Sequence, residues 1–162
     1  LVHEILSPES VTLVAVGETS GYTSSCQGYI DDDTITSDFD IMTSLGGIAA
    51  IDQIYGRKGS GCSSDITKAR NIINNAMRRY GRFGLGLTTH SYRYETDGSI
   101  FNQEVASDSI LELYYEKTRK IVARNREFLE LLANELAKKK FLTMYDVQRI
   151  KKSCKIKEVE VL

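Results

Sequence analysis

Apolar residues recur at helical spacing over two neighbouring stretches in the first half of the chain. This spacing predicts one helix over residues 37–56 and a second over residues 63–81, since positions three and four apart share a helix face. Ser37 followed by Asp40 resembles a capping box, and Ser63 or Ser64 can cap the second helix. Asp65 is therefore expected in the first turn of the second helix. The apolar positions are Ile41, Leu45, Ile48, Ile66, Ala69, Ile73 and Met77.

Other patterns predict a small amount of sheet and a helical C-terminal part. Residues 1–6 are interpreted as the end of a helix, and β-branched residues at 10–16 predict a strand that can form a hairpin. A long helix that can break in its middle is predicted from Ser107 or Asp108 to residue 136. A capping pair, Thr143 with Asp146, predicts a short helix after it.

The fold class predicted by these patterns is mostly α (α+β), with a small sheet or hairpin near the N-terminus. We expect one domain over residues 1–162, in which residues 107–150 form the closing helical part. The segment 82–105 lacks periodicity and is predicted to be a loop, with a possible short strand near residues 91–94. The Gly46-Gly47 pair inside a predicted helix indicates close backbone packing, because each glycine costs about 1 kcal/mol relative to alanine.

Composition narrows the possible partners. The 162 residues are 41% hydrophobic and 27% charged, which suits one domain with an apolar core. Lys plus Arg number 21 and Asp plus Glu 22, so the net charge favours neither nucleic acid nor an anionic membrane surface. The three cysteines share no CxxC spacing, which argues against a cysteine-built zinc site and favours a reducing, cytoplasmic compartment.

Few residues offer catalytic chemistry. The two histidines, His3 and His90, belong to no HExxH motif, and the loop before Asp65 lacks the ending of a phosphate-binding Walker loop. The acidic run 31–33 is interpreted as a solvated loop rather than a cation site. From these residues alone, Asp65 is a first-turn carboxylate favoured by the helix dipole.

One long segment resembles a known family. Residues 43–65, TSLGGIAAIDQIYGRKGSGCSSD, closely resemble the segment containing LGGRAAEEIIFG, TTGA and ND in the peptidase domain of FtsH-type ATP-dependent zinc metalloproteases. The order of the flanking segments also agrees, from SVTLVAVGETSGYT through RRYGRFGLG to the closing helices. The resemblance covers nearly the whole chain.

The resemblance implies a metal site that this chain holds only in part. Leu1 and Val2 align with the residues just after the family's HEAGHA, so the chain is expected to be truncated after the two zinc-binding histidines. Asp65 aligns with the third zinc ligand. His3 lies beyond the second histidine and is expected at the surface. With no HExxH, no catalytic residue is assigned, and the 162 residues by themselves are expected to be inactive.

The resemblance also implies how the intact protein works. Strand 11–16 is expected to be the sheet edge to which an extended substrate adds, with Val14, Ala15 and Val16 binding it. The implied substrates are unfolded polypeptides, and the implied partners are an ATPase domain and further copies of the chain in a homo-oligomer. The domain is expected in the cytoplasm, on the cytoplasmic side of any membrane anchor.

Departures from the family pattern leave two alternatives open. Ile48 replaces the family's arginine, Asp52-Gln53 replaces paired glutamates, and Ser64 replaces asparagine. The first alternative is a non-catalytic, protease-derived interaction or oligomerisation domain. The second is an unrelated helical binding module.

Overall fold

A computed structural model describes residues 1–18, 21–26, 33–57, 60–84 and 97–157 of the chain. The predicted fold class is confirmed: helices predominate, and a three-stranded sheet lies near the N-terminus. The predicted strand near residues 91–94, His90 and the first two residues of the acidic run 31–33 lie outside the described residues. The elements are α1 (Val2–Leu6), β1 (Val11–Val16), β2 (Gly21–Ser25), α2 (Asp33–Tyr55), α3 (Ser63–Tyr80), α4 (Asp97–Arg124), α5 (Arg126–Lys139), β3 (Phe141–Thr143) and α6 (Met144–Ser153).

Two groups of buried apolar side chains hold these elements together. The larger group joins α1, α2, α3 and α4, and its fully buried members include Ile41, Ile73 and Ile121. The smaller group lies between the sheet and helices α5 and α6, around Phe128 and Leu142. Burial of apolar surface is the main favourable term in folding. Because α1 packs in the larger group and α6 in the smaller one, the two helices depend on separate parts of the core.

Helices α2 and α4 begin earlier than their sequence patterns predict. Helix α2 begins at Asp33 rather than at Ser37, and α4 begins at Asp97 within the segment predicted to be a loop. A contact with α3 accompanies the extension of α4, since Arg78 donates to Gln103 Oε1 at 2.9 and 3.1 Å. Near the start of α2, Asp38, which lies within the predicted helix, is 2.9 Å from Arg82 in the turn after α3. Tertiary contacts of this kind override weak local propensity.

The predicted break in the long C-terminal helix is confirmed at Asn125, between α4 and α5. Asn125 is buried, and its Nδ2 donates to the carbonyl oxygens of Ile121 and Lys157, each at 3.0 Å. Its Oδ1 accepts from the Lys157 backbone N–H at 2.8 Å. One buried amide thus ends α4 and holds the segment that follows α6.

Helix ends match the predictions at α6 and at the C-terminus of α3. Thr143 and Asp146 form the predicted capping box, and Gly81 ends α3 in the left-handed conformation, with φ 62°. The predicted N-cap of α3 is wrong. Cys62 occupies that position without a side-chain hydrogen bond, and α3 begins at Ser63 after a short 3-10 turn.

The sheet has the order β2-β1-β3, with both pairings antiparallel. The expected edge position of strand 11–16 is therefore wrong. Val14 pairs with Thr23 on one side and Leu142 on the other, and Ala15 pairs with Tyr22 and Phe141. Strand β3, which the sequence patterns did not predict, occupies the side of β1 that we expected to be open.

The adjacent glycines of α2 differ in how closely other side chains approach them. A Cβ added at Gly46 would lie 3.0 Å from Val2 Cγ2, whereas one added at Gly47 would have the Asp65 Oδ2 atom as its neighbour, at 4.0 Å. The close packing predicted for this pair therefore occurs at Gly46, where α1 contacts α2.

Alanine substitutions at the two glycines should change the free energy of unfolding in opposite directions. Gly47→Ala is expected to raise the free energy of unfolding by up to about 1 kcal/mol, because alanine favours a helix and space is available. Gly46→Ala is expected to lower it by about 1–3 kcal/mol through overpacking against stiff Val2, and adding Val2→Ala should recover part of that loss. Urea unfolding checks this, and equal stabilisation by both alanines would contradict the contact.

Candidate metal centre

Asp65 lies in the first turn of α3, as predicted. Its side chain is exposed, and no hydrogen bond or ion pair holds its carboxylate within the described part of the chain. Its Oδ2 atom approaches α2 at Gly47, at 4.0 Å from the position of an added Cβ. The carboxylate is therefore held near α2 by its helix and remains available to a ligand.

The N-terminal end of α1 approaches the same part of α2. Val2 is buried, and its Cγ2 lies 3.0 Å from the position of a Cβ added at Gly46. Val2 and Asp65 thus approach consecutive glycines. Two segments that are far apart in sequence, the beginning of α1 and the first turn of α3, are brought to one short stretch of α2.

His3 is buried, with 8% of its surface exposed, so its predicted surface position is wrong. Because α1 packs closely on α2, the His3 Nδ1 atom lies 3.4 Å from Thr43 Oγ1, while Nε2 has no partner among the described residues. Burial and the nearby N-terminal amino group lower the pKa of His3 against the opposing effect of Asp40. Burial therefore favours the neutral imidazole over the imidazolium.

Glu4, the next residue, is a buried carboxylate that our sequence interpretation missed. It is 1% exposed, and its Oε1 atom accepts from Lys151 Nζ at 2.7 Å and from Gln148 Nε2 at 2.9 Å. Burial alone would raise the pKa of Glu4, but hydrogen bonds from Lys151, the Glu9 backbone and Gln148 outweigh it and lower the pKa.

The signal that could have found this contact is the single acid within the apolar run LVHEIL. An acid in such a run requires a partner when its helix is buried. Lys151, by contrast, lies in the basic segment 151–157, where a solvated side chain is the ordinary expectation, yet its side chain is only 18% exposed.

Asp65 fits a zinc site as one ligand of several. A carboxylate oxygen is an ordinary zinc ligand. An exposed carboxylate without an ion pair can bind a zinc ion without first breaking another contact. Within 1–18, 21–26, 33–57, 60–84 and 97–157, however, no three His, Cys, Asp or Glu side chains are grouped closely enough to hold a metal ion. Among the residues that the structure describes, Asp65 is therefore a single candidate ligand and not part of a cluster.

The helices that the structure describes include none that is both long enough and apolar enough to cross a membrane.

A sequence model of one protein family, peptidase family M41, matches residues 1–150. The chain is also similar to several bacterial proteases. It is 29% identical over 172 residues to the ATP-dependent zinc metalloprotease FtsH of Mycoplasma pneumoniae, with 96% of this chain and 24% of that protein covered. It is 29% identical to FtsH of Mesoplasma florum, covering 95% of this chain and 26% of that protein. It is 24% identical to FtsH 2 of Phytoplasma mali, covering 88% and 22% respectively. The chain thus spans about a quarter of the length of these relatives.

Proposed function

Because this chain belongs to peptidase family M41, we propose that it forms most of the peptidase domain of an ATP-dependent zinc metalloprotease. The resemblance to FtsH-type proteases that the sequence motifs predict is confirmed by the family match and by relatives of that name. The proposed reaction is the hydrolysis of peptide bonds by a zinc-activated water.

One observation carries the proposal most directly, namely that Asp65 and the beginning of α1 approach consecutive glycines of α2. In the intact protein, the residues before Leu1 would continue α1 and supply the two histidines and the glutamate of HExxH. Asp65 would then be the third protein ligand. When bound, zinc lowers the pKa of a water molecule and so provides the nucleophile at neutral pH.

The sheet supports a different substrate edge from the one we expected. Both sides of β1 are paired at Val14 and Ala15, so the backbone of this strand cannot accept another strand there. Strand β2 pairs with β1 alone among the described strands, and all five of its residues are exposed. We therefore infer that an extended substrate adds to β2; side-chain contacts from Val14, Ala15 and Val16 stay a prediction.

The proposal extends to the partners of the intact protein. The relatives' names describe ATP-dependent proteases, which supports an ATPase domain that delivers unfolded polypeptides to this domain. We also propose that the protein assembles as a homo-oligomer, with this domain in the cytoplasm. Where the intact protein carries a membrane anchor, we propose that this domain lies on its cytoplasmic side.

Metal analysis of the intact protein tests the proposed function. We expect one zinc ion per chain and hydrolysis of unfolded casein in the presence of ATP. Removal of zinc with a chelator should abolish hydrolysis, and added zinc should restore it. A folded intact protein with neither zinc nor hydrolysis would instead support the non-catalytic interaction domain.

A further inference from the structure

We propose that helix α6 positions the metal-binding end of α1 through the ion pair between Glu4 and Lys151, called the α1–α6 ion pair below. This inference rests on the proposed function, since it concerns how α1 is held relative to Asp65. It makes Lys151 a positioning residue for the metal centre, although it lies 147 residues from Glu4 in sequence.

The contacts of Glu4 are numerous for one side chain. Its Oε1 atom accepts from Lys151 Nζ at 2.7 Å, from Gln148 Nε2 at 2.9 Å and from the Glu9 backbone N–H at 3.0 Å. Lys151 Nζ also donates to the Glu4 carbonyl oxygen at 3.3 Å. Both the side chain and the backbone of α1 are therefore bound to one lysine of α6.

Helix α1 needs such contacts to keep its orientation. It has five residues, and helices this short are not stable by themselves in water, so tertiary contacts must determine where they lie. The described contacts lie on two sides. Ile5 and Leu6 pack with Val2 on the larger apolar group, where Val2 lies against Gly46 of α2. On the other side, Glu4 binds Lys151 and Gln148 of α6.

The apolar side of α1 and its hydrogen bonds to α6 together define the direction in which α1 points. If the α1–α6 ion pair is lost, the apolar side still packs on the larger group, but α1 loses its charged contact with α6 and gains freedom to tilt on its apolar side. Any residue that continues α1 before Leu1 would move with it, whereas Asp65 is held separately by α3. The distance between Asp65 and ligands on the continued helix would then be less well defined, which weakens metal binding.

Zinc affinity of the intact protein, measured by competition with a chromogenic chelator, tests this inference. Lys151→Met is expected to weaken zinc binding by about tenfold, the lower end of the range for residues that orient metal ligands. Lys151→Arg keeps the charge and should bind zinc nearly as tightly as the unsubstituted protein. With Co²⁺ in place of zinc, the visible absorption bands should change in Lys151→Met and return in Lys151→Arg, because they report ligand geometry.

Three further variants make the result specific. Lys152→Met removes the same charge from an exposed neighbour and should leave zinc affinity unchanged. Tyr114→Phe removes the 2.6 Å hydrogen bond to Asp38, which destabilises the contact between α2 and α4 without touching the α1–α6 ion pair. Gln148→Met removes one neutral donor from Glu4 and serves if Lys151→Met does not fold; it should also weaken zinc binding.

The outcomes test the proposed function and the positioning role of Lys151 separately. Absence of zinc from the unsubstituted protein would overturn the proposed function. Zinc binding that is unchanged by Lys151→Met, or by Gln148→Met where the lysine variant does not fold, would overturn the positioning role alone. An equal loss of affinity in Tyr114→Phe would also overturn it, because general destabilisation would then explain the effect.

Discussion

Asp65→Asn is expected to weaken zinc binding by the intact protein more than about 100-fold, since even residues that only orient a ligand are worth 10–100-fold. An amide is neutral and a poor substitute for the anionic oxygen that zinc prefers. The fold should remain, because the Asp65 side chain is exposed and its carboxylate has no described hydrogen bond or ion pair. Zinc titration together with circular dichroism measures both effects.

Asp108→Asn is the matched control for this substitution. Asp108 is also an exposed aspartate near α3, where it forms a 2.6 Å ion pair with Arg70, and its loss should leave zinc affinity unchanged. If Asp65→Asn binds zinc as tightly as the unsubstituted protein, Asp65 is not a ligand. Its remaining role would be a favourable interaction with the helix dipole, worth about 0.3–1 kcal/mol of stability.

Glu4→Gln is expected to lower the free energy of unfolding by about 3 kcal/mol at pH 7, the low end for breaking a buried ion pair. The substitution keeps the shape of the side chain but leaves the Lys151 charge without its partner. The low end applies because Lys151 is 18% exposed, so water can solvate part of the lysine. Urea unfolding of the two proteins measures the difference.

The same substitution should change how stability depends on pH. The hydrogen bonds from Lys151 and its neighbours lower the folded-state pKa of Glu4 below its ordinary value of 4.5, against the effect of burial. The ionised group therefore contributes stability above about pH 4.5 and loses it as the pH falls through the folded-state pKa. Glu4→Gln should be less sensitive to acid over that interval.

Glu9→Gln provides the control, since Glu9 is exposed and contacts Glu4 through its backbone N–H alone. It should unfold like the unsubstituted protein. Combining Glu4→Gln with Lys151→Met should cost less than the sum of the single effects, because the pair is then absent altogether. Additive effects would show that the two side chains are not coupled.

Local patterns predicted the parts of this protein whose causes are local. The apolar stripe of α3, its end at Gly81 and the Thr143–Asp146 capping box involve residues only a few positions apart. Helix periodicity and caps act over that distance. The place of Asp65 in the first turn of α3 follows from the same signals, and the family follows from the order of its motifs.

The sequence by itself thus determined which stretches form helices, the hairpin, and the first turn of α3, which carries Asp65. The tertiary structure alone decided that β1 lies between two strands, that His3 is buried, and that Glu4 binds Lys151. The physical reason is that each of these depends on segments distant in sequence. Strand β3 reaches β1 from the far end of the chain, and a carboxylate becomes buried only when another helix supplies the charge that compensates for its lost water.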